Sequence, residues 1–459
     1  MYKLNKKNKD NFYLLESIDK KHIWHPFTQM KEWIANKQII IDHGQGNYLI
    51  DTEGKSYLDG VSSLWVNIHG HNHPYINNAI KKQLSKISHA TFLGLSNVPA
   101  IKLTELLIKI VPQNLTRIFY SDNGSTSVEI GLKIAYQYWQ QHPQSLHHSK
   151  KKFISFTTAY HGDTIGSVSV GGIDLFHRIY KPMLFETLKA PYPYPLKENL
   201  SQEESELKAI KELEKCLKAN HKTVAGIIIE PLMQGASGMI NTSTQFLQKV
   251  KALSVEYNVL LIVDEVATGF GRTGSMFAVE KADIQPDILC IAKGLTGGYL
   301  PLAATITTEA IFNNFLGDYL DYSTFFHGHS YTANPLACAA AIANLELFEK
   351  NNTIEKLQEK IYRLITDLKE IEKLPHVAEV RQEGFMVGIE LYEDKKNNKP
   401  YAPEKRIGFL VAQEAIKRGV FLRPLGDVII LMPPLSINPK ELKLLLETCK
   451  KCIIHITQK

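Results

Sequence analysis

The chain has 459 residues, 44% of them hydrophobic and 22% charged, and a net charge of +6. This is the make-up of a folded protein of about two domains, and it excludes a disordered chain. So small a charge, with no aromatic-interleaved basic stripe, argues against a nucleic-acid binder. The lysine clusters at Lys3, Lys6, Lys7 and Lys9 and at Lys150, Lys151 and Lys152 read as solvated surface.

The N-terminal stretch MYKLNKKNKDNFYLLESIDKK lacks the apolar core of a signal peptide. No run reaches the ~20 apolar residues of a membrane span. Five cysteines, an odd number, suit free thiols in a reducing compartment. A cytoplasmic protein is therefore expected. Cys449 and Cys452 form a CxxC in a Leu- and Lys-rich helical stretch without a second pair, which reads as a helix face rather than a zinc or redox site.

In chain order, a first segment (1–72) has a turn at DTEG (51–54) and is expected to pack on the C-terminal unit. A large domain (73–345) follows. RIFYS (117–121) leads into the helix-periodic STSVEIGLKIAYQYW. HPQSLHHSKKK (142–152) reads as an exposed loop. Then come FISFT (153–157), AGIIIE (225–230), VLLIVDE (259–265), DILCIA (287–292) and LAATI (302–306). Continuous apolar runs alternating with helices predict an α/β domain with a mainly parallel sheet. Its active site is expected at the carboxyl ends of the strands. The remainder (346–459) has amphipathic helices at 351–374 and 403–419, with short strands in EGFMVGIEL, VFLRPL and VIILMPP. It predicts a smaller α+β domain.

VLLIVDE ends on two acids, Asp264 and Glu265, which a buried strand does not do without cause. Lys293 ends the next strand-like run. A salt bridge would explain the pair. A flat heterocycle between them is the alternative. Pyridoxal phosphate needs a lysine amine to hold it covalently and an acid at its ring nitrogen to keep the pyridinium form. Three more features fit that reading. SDNGSTSVE sets Gly124, Ser125 and Thr126 at a helix N-terminus, where amides and a hydroxyl bind phosphate or simply cap the helix. TAYHGDT puts Tyr160 after a strand, placed to stack on a ring or to fill the core. GHSYTANPLACAA puts His329 and Ser330 before another helix as a second phosphate contact.

Two motifs read otherwise. HGHNH sets His69, His71 and His73 at alternate positions, as zinc ligands might be, but Gly70 and Pro74 suggest a turn and no carboxylate lies beside them, so no metal site is expected. GFGRTG (269–274) carries two glycines of a dinucleotide fingerprint but lies outside a first strand-to-helix turn.

VDEVATGFGRTG followed by PDILCIAKGLTGGYLPL resembles the class III aminotransferases, fold-type I pyridoxal phosphate enzymes, and the likeness runs from about His22 to Pro434. HIWHPFTQM, DGVSSLWVNIHGHNHP, AYHGDTIGSVSVGG, FFHGHSYTANPLACA and RPLGDVIILMPP are similar to a biotin-pathway branch. That branch aminates 8-amino-7-oxononanoate, usually with S-adenosylmethionine as donor. The resemblance implies a homodimer with shared active sites. It implies Lys293 as cofactor lysine and proton shuttle, Asp264 at the pyridinium, Gly124 and Ser125 on the phosphate, and Tyr160 on the ring. His329 and Ser330 would reach the phosphate across the dimer. Gly328 would line the substrate site, Arg423 would bind the acceptor carboxylate, and Arg272 would recognise substrate. Phe27, Leu64 and Trp65 fall on the donor site. The chain departs from the pattern there: Phe27 stands for a tyrosine, Leu64 for a tryptophan, and His329-Ser330 for Pro-Thr. A sister branch that takes its amine from lysine shares Phe27 and HGHSY, so lysine is the alternative donor. Other ω-amino transaminases, and a silent binding protein on the same fold, are the remaining readings.

Overall fold

The computed structural model describes the backbone of residues 6–458 and side chains from Phe12 onward, so the cluster Lys3, Lys6, Lys7 and Lys9 lies outside the described side chains. Its centre is a seven-stranded sheet in the order Leu115–Ser121, Ala303–Thr308, Ile288–Ile291, Leu260–Asp264, Val224–Ile229, Lys152–Phe156, Thr187–Ala190. Only Ala303–Thr308 runs antiparallel to its neighbours. Leu260–Asp264 and Val224–Ile229 are buried along their whole length. Helices cover both faces, which is why these strands are apolar throughout rather than alternating. Thr187–Ala190 was not evident in the sequence. It is a four-residue edge strand carrying Lys189, too short and too polar to stand out.

The two chain ends meet in smaller sheets. Ile41–Gln45, Tyr48–Asp51 and Ser56–Asp59 form an antiparallel meander, and Val420–Phe421 adds to it parallel to Ser56–Asp59. Val377–Glu383 pairs with Met386–Asp394, which pairs with Val428–Leu431. The helices Thr353–Glu372 and Pro439–Thr457 contact each other in this unit. A division at residue 345 falls inside the helix Pro335–Lys350. A break at Asn351–Asn352, where Asn352 turns left-handed (φ 48°), follows the chain better.

The lysine run at 150–152 is not all surface. Lys150 is 3% exposed; its Nζ donates to the carbonyls of His221, Val224 and Asn258 and lies 4.6 Å from the Trp139 ring centroid. Three carbonyls and an aromatic face replace its water, which lets a lysine be buried. Cys449 and Cys452 are buried free thiols inside Pro439–Thr457. Among the described residues, no helix is long and apolar enough to cross a membrane.

Candidate active site

Five sheet strands end at one place. Leu115–Ser121 leads to Gly124, Lys152–Phe156 to Tyr160 and His161, Val224–Ile229 to Glu230, Leu260–Asp264 ends on Asp264, and Ile288–Ile291 leads to Lys293. Parallel strands deliver their C-terminal loops to one edge of the sheet, so residues far apart in sequence converge there.

Asp264 and Lys293 form no ion pair. Asp264 is 4% exposed; its Oδ2 accepts from His161 Nδ1 at 2.7 Å and its Oδ1 from the Val266 amide at 3.0 Å. A carboxylate only accepts, so Nδ1 carries the proton. The imidazole is itself buried, and its Nε2 has no hydrogen-bond partner. Glu265 turns the other way. It accepts from Thr268 Oγ1 and the amides of Ala278 and Val279, and so holds the short helix Ala278–Lys281. Of the two acids that end the strand, one serves the site and the other the fold.

The Lys293 Nζ lies 4.8 Å from the centroid of the Trp65 ring. Burial pushes its pKa below the usual lysine value, Asp264 and Glu230 pull it back up, and burial prevails. The backbone here is unusual. Lys293 (φ 41°), Trp65 (φ 63°) and Phe27 (φ 49°) all occupy the left-handed region, where non-glycine residues are uncommon and tend to gather at functional sites.

Gly124 opens the helix Gly124–Gln140. Asn123 and Thr126 form a reciprocal cap, so Thr126 is used in capping. The main-chain amides of Gly124 and Ser125 donate to no protein acceptor, and they point from a helix N-terminus. Ser125 Oγ accepts from the Asp163 amide at 3.0 Å. Gly162 makes this approach possible: its φ is +121°, and a Cβ there would lie 2.0 Å from Ser125 Oγ. Tyr160 is joined to the same turn through Asp163. Its hydroxyl donates to Asp163 Oδ2 at 2.7 Å, and its ring meets Phe176 edge-on and His177 in parallel.

Glu230 is 5% exposed and accepts from the amides of Tyr160 (3.0 Å) and Gly235 (3.1 Å). Burial pushes its carboxyl up to about 7, eased by His161 and reinforced by Asp264. Neither Glu230 nor His161 was singled out from the sequence. AGIIIE carries the same signal as VLLIVDE, an apolar strand ending on an acid. His161 stands inside AYHGDT, next to Tyr160.

The other expected residues are spread around this centre. Phe27 is exposed and meets Phe176 edge-on at 5.2 Å, which ties it to Tyr160. Leu64 is half exposed beside buried Trp65. Arg423 is exposed, between Phe421 and Leu425, which pack on the apolar cluster that holds Trp65. Its guanidinium has no ion-pair or hydrogen-bond partner among the described residues. Gly328 and Ser330 are exposed, and no hydrogen bond joins them or His329 to Lys293, Asp264 or Tyr160 within the protomer. Arg272 is set deeper than the others. It is 1% exposed and donates to the carbonyls of Asn67 (2.7 Å) and Pro433 (2.8 Å). It ties main-chain segments together near Trp65, while its buried Nε has no hydrogen-bond partner and its charge lowers the pKa of Lys293.

The three histidines of HGHNH do separate work. His69 pairs with the Asn344 carbonyl, His71 with Asp59, and His73 caps the helix Pro74–Leu84.

A buried acid held by an imidazole, a lysine amine of lowered pKa, and two unpartnered amides at a helix N-terminus suit a pyridoxal phosphate site. Residues 30–453 match the family described as aminotransferase class-III, and the chain belongs to that family. Its members are pyridoxal phosphate enzymes, and that is the cofactor of this aminotransferase. The chain is 50% identical to an adenosylmethionine-8-amino-7-oxononanoate aminotransferase of Nitratidesulfovibrio vulgaris, over 97% of this chain and 82% of that protein. The crystal structure of an enzyme of the same name from Methanocaldococcus jannaschii superposes with a TM-score of 0.92 at 45% identity, over 97% of this chain and 99% of that one. An amine transaminase from an uncultivated Pseudomonas species, solved in its PLP-bound form, gives a TM-score of 0.90 at 32% identity, over 95% and 99%.

Proposed function

We propose that the protein transfers an amino group to 8-amino-7-oxononanoate, giving 7,8-diaminononanoate for biotin synthesis, with S-adenosylmethionine as donor. The observation that carries the chemistry is the Asp264–His161 hydrogen bond facing the Lys293 amine from the neighbouring strand end. The names of relatives about half identical over nearly the whole chain support the substrates.

When bound, pyridoxal phosphate supplies an electron-withdrawing ring that makes the Cα proton of a joined amine acidic. The residues do the rest. Lys293 Nζ would hold the cofactor and is the amine placed to take a proton from the donor Cα and return one to the acceptor. A lowered pKa keeps a fraction of that amine neutral for this task. Asp264, oriented by His161 and the Val266 amide, keeps the ring nitrogen protonated. Gly124 and Ser125 take the phosphate, and Tyr160 covers the ring. Arg423, a planar fork with no internal partner, takes the acceptor's carboxylate. Phe27, Leu64 and Trp65 border the donor.

The working form is a homodimer in the cytoplasm, in which the partner adds its His329, Ser330 and Gly328. Trp24, Leu93, Leu95, Tyr319, Phe326 and Tyr331 are exposed in the single chain, as residues covered by a second copy would be. The test is a half-reaction. The cofactor-loaded enzyme is mixed with S-adenosylmethionine, lysine, ornithine or 4-aminobutyrate, and loss of the lysine-bound cofactor absorbance is followed. Reaction with S-adenosylmethionine supports the donor. Reaction with lysine alone moves the enzyme to the lysine-using branch, and reaction only with the ω-amines removes the biotin assignment.

A further inference from the structure

Four methionines, Met233, Met239, Met386 and Met432, form one buried cluster with Trp65, Val61, Val428 and Ile430. Trp65 therefore carries the Lys293 amine on a floor of unbranched, adaptable side chains, which fill space without fixing a neighbour's position. Something else must fix it. Gly235 touches the ring: a Cβ there would come within 3.1 Å of Trp65 Cζ3. Gly235 belongs to the turn between the short strands Met233–Gln234 and Ile240–Asn241, and its carbonyl accepts from the amides of Gly238 and Met239.

That turn is held from the C-terminal unit. Arg381, on the strand Val377–Glu383, is 4% exposed. Its Nε donates to the carbonyls of Gly238 (3.2 Å) and Met239 (3.1 Å), and its Nη2 to Gly238 (2.7 Å). Nη1 pairs with Glu390 at 2.6 Å and with Glu379. The Tyr194 hydroxyl also donates to Glu390 at 2.6 Å. A planar fork with all three nitrogens engaged is a rigid fixture, unlike the methionines around it.

We propose that Arg381 is a positioning residue of the active site: it fixes the turn 235–239 from the C-terminal unit and, through Gly235, sets where Trp65 lies beneath the Lys293 amine. The inference rests on the reading of Lys293 as the reacting amine. Arg381 touches no reactant, and its effect passes through three contacts.

The test labels the full-length protein with 5-fluorotryptophan and assigns the Trp65 signal by its loss in Trp65→Phe. Arg381→Met is compared with Arg381→Met/Glu390→Gln, which spares the fold an unpaired buried acid, and with Gly235→Ala, which crowds Trp65 directly. The Trp65 signal is expected to shift or broaden in each folded variant while those of Trp24, Trp33 and Trp139 hold. The donor half-reaction is expected to slow about tenfold, as misplacing a reacting group does, with cofactor content unchanged. Arg381→Lys keeps the charge but not the fork, and should restore less than half of the lost rate. Folded variants with an unmoved Trp65 signal, or a moved signal with an unchanged rate, overturn the proposal. If the wild type itself shows no half-reaction, the transaminase reading fails instead, and the fluorine signal still decides whether Arg381 holds Trp65.

Discussion

Asp264→Asn separates the charge of the site from its shape. The asparagine keeps the size of the side chain and can still accept from the Val266 amide. Its amide group then faces His161 Nδ1, now 2.7 Å from a carboxylate oxygen. The imidazole must accept rather than donate, so its proton moves to Nε2, which has no partner in the protein. One charge-assisted hydrogen bond is lost, about 1.5–3 kcal/mol, or roughly 10- to 150-fold in rate if all of it is felt in the transition state. Loss of the charge that holds the ring nitrogen protonated acts in the same direction, and removal of one preorganised group from a reacting centre costs about 10²–10³-fold. The donor half-reaction, measured in a single turnover by stopped-flow absorbance, is expected to slow about 10²-fold, with cofactor still bound. A change within twofold would show that Asp264 only supports the fold.

Lys293→Ala should abolish turnover yet keep the cofactor held through phosphate and ring, read by dialysis and absorbance. Arg423→Ala should weaken use of the acceptor by about 2–5 kcal/mol and leave the donor half-reaction nearly intact, since only the acceptor carries a remote carboxylate; equal damage to both would move Arg423 off the acceptor. Phe27→Tyr with Leu64→Trp should favour S-adenosylmethionine over lysine in competition, because a sulfonium gains about 0.5–2 kcal/mol over an aromatic face. Glu230 binds its proton more tightly folded than unfolded, so the stability this adds is complete below about 4.5 and is lost as pH rises through about 7. Glu230→Gln should remove that slope, worth up to about 3 kcal/mol, in urea unfolding of the cofactor-free protein across this range. An unchanged slope would place the titration on other groups, Glu265 first.

What could be read from the sequence divides by physical cause. Apolar runs announce themselves, so the five inner strands and the seven-residue edge strand Leu115–Ser121 were evident, while the short edge strand Thr187–Ala190 was not. Asp264 and Lys293 stood out because a charge at the end of an apolar run is anomalous. Glu230 ends such a run too, but a single acid drew less notice than a pair. His161, Asp163 and Phe176 were hidden because their partners lie far away in sequence or on a neighbouring turn, and only the fold brings them to Asp264, Tyr160 and Phe27. The burial of Arg272 was hidden for a related reason: an arginine in a glycine-rich motif looks exposed, yet Nη1 and Nη2 meet two distant main-chain carbonyls. The burial of Lys150 has the same origin, since carbonyls from two separate segments, 221–224 and Asn258, meet only in the folded chain.

The product of the proposed amination can be weighed directly. Purified enzyme with pyridoxal phosphate is incubated with 8-amino-7-oxononanoate and S-adenosylmethionine, in parallel with Lys293→Ala, and the mixture is analysed by mass spectrometry. 7,8-Diaminononanoate is expected from the wild type and none from the variant. Unchanged 8-amino-7-oxononanoate in both, with a cofactor-loaded wild type and with lysine also tried as donor, would contradict the proposed amination.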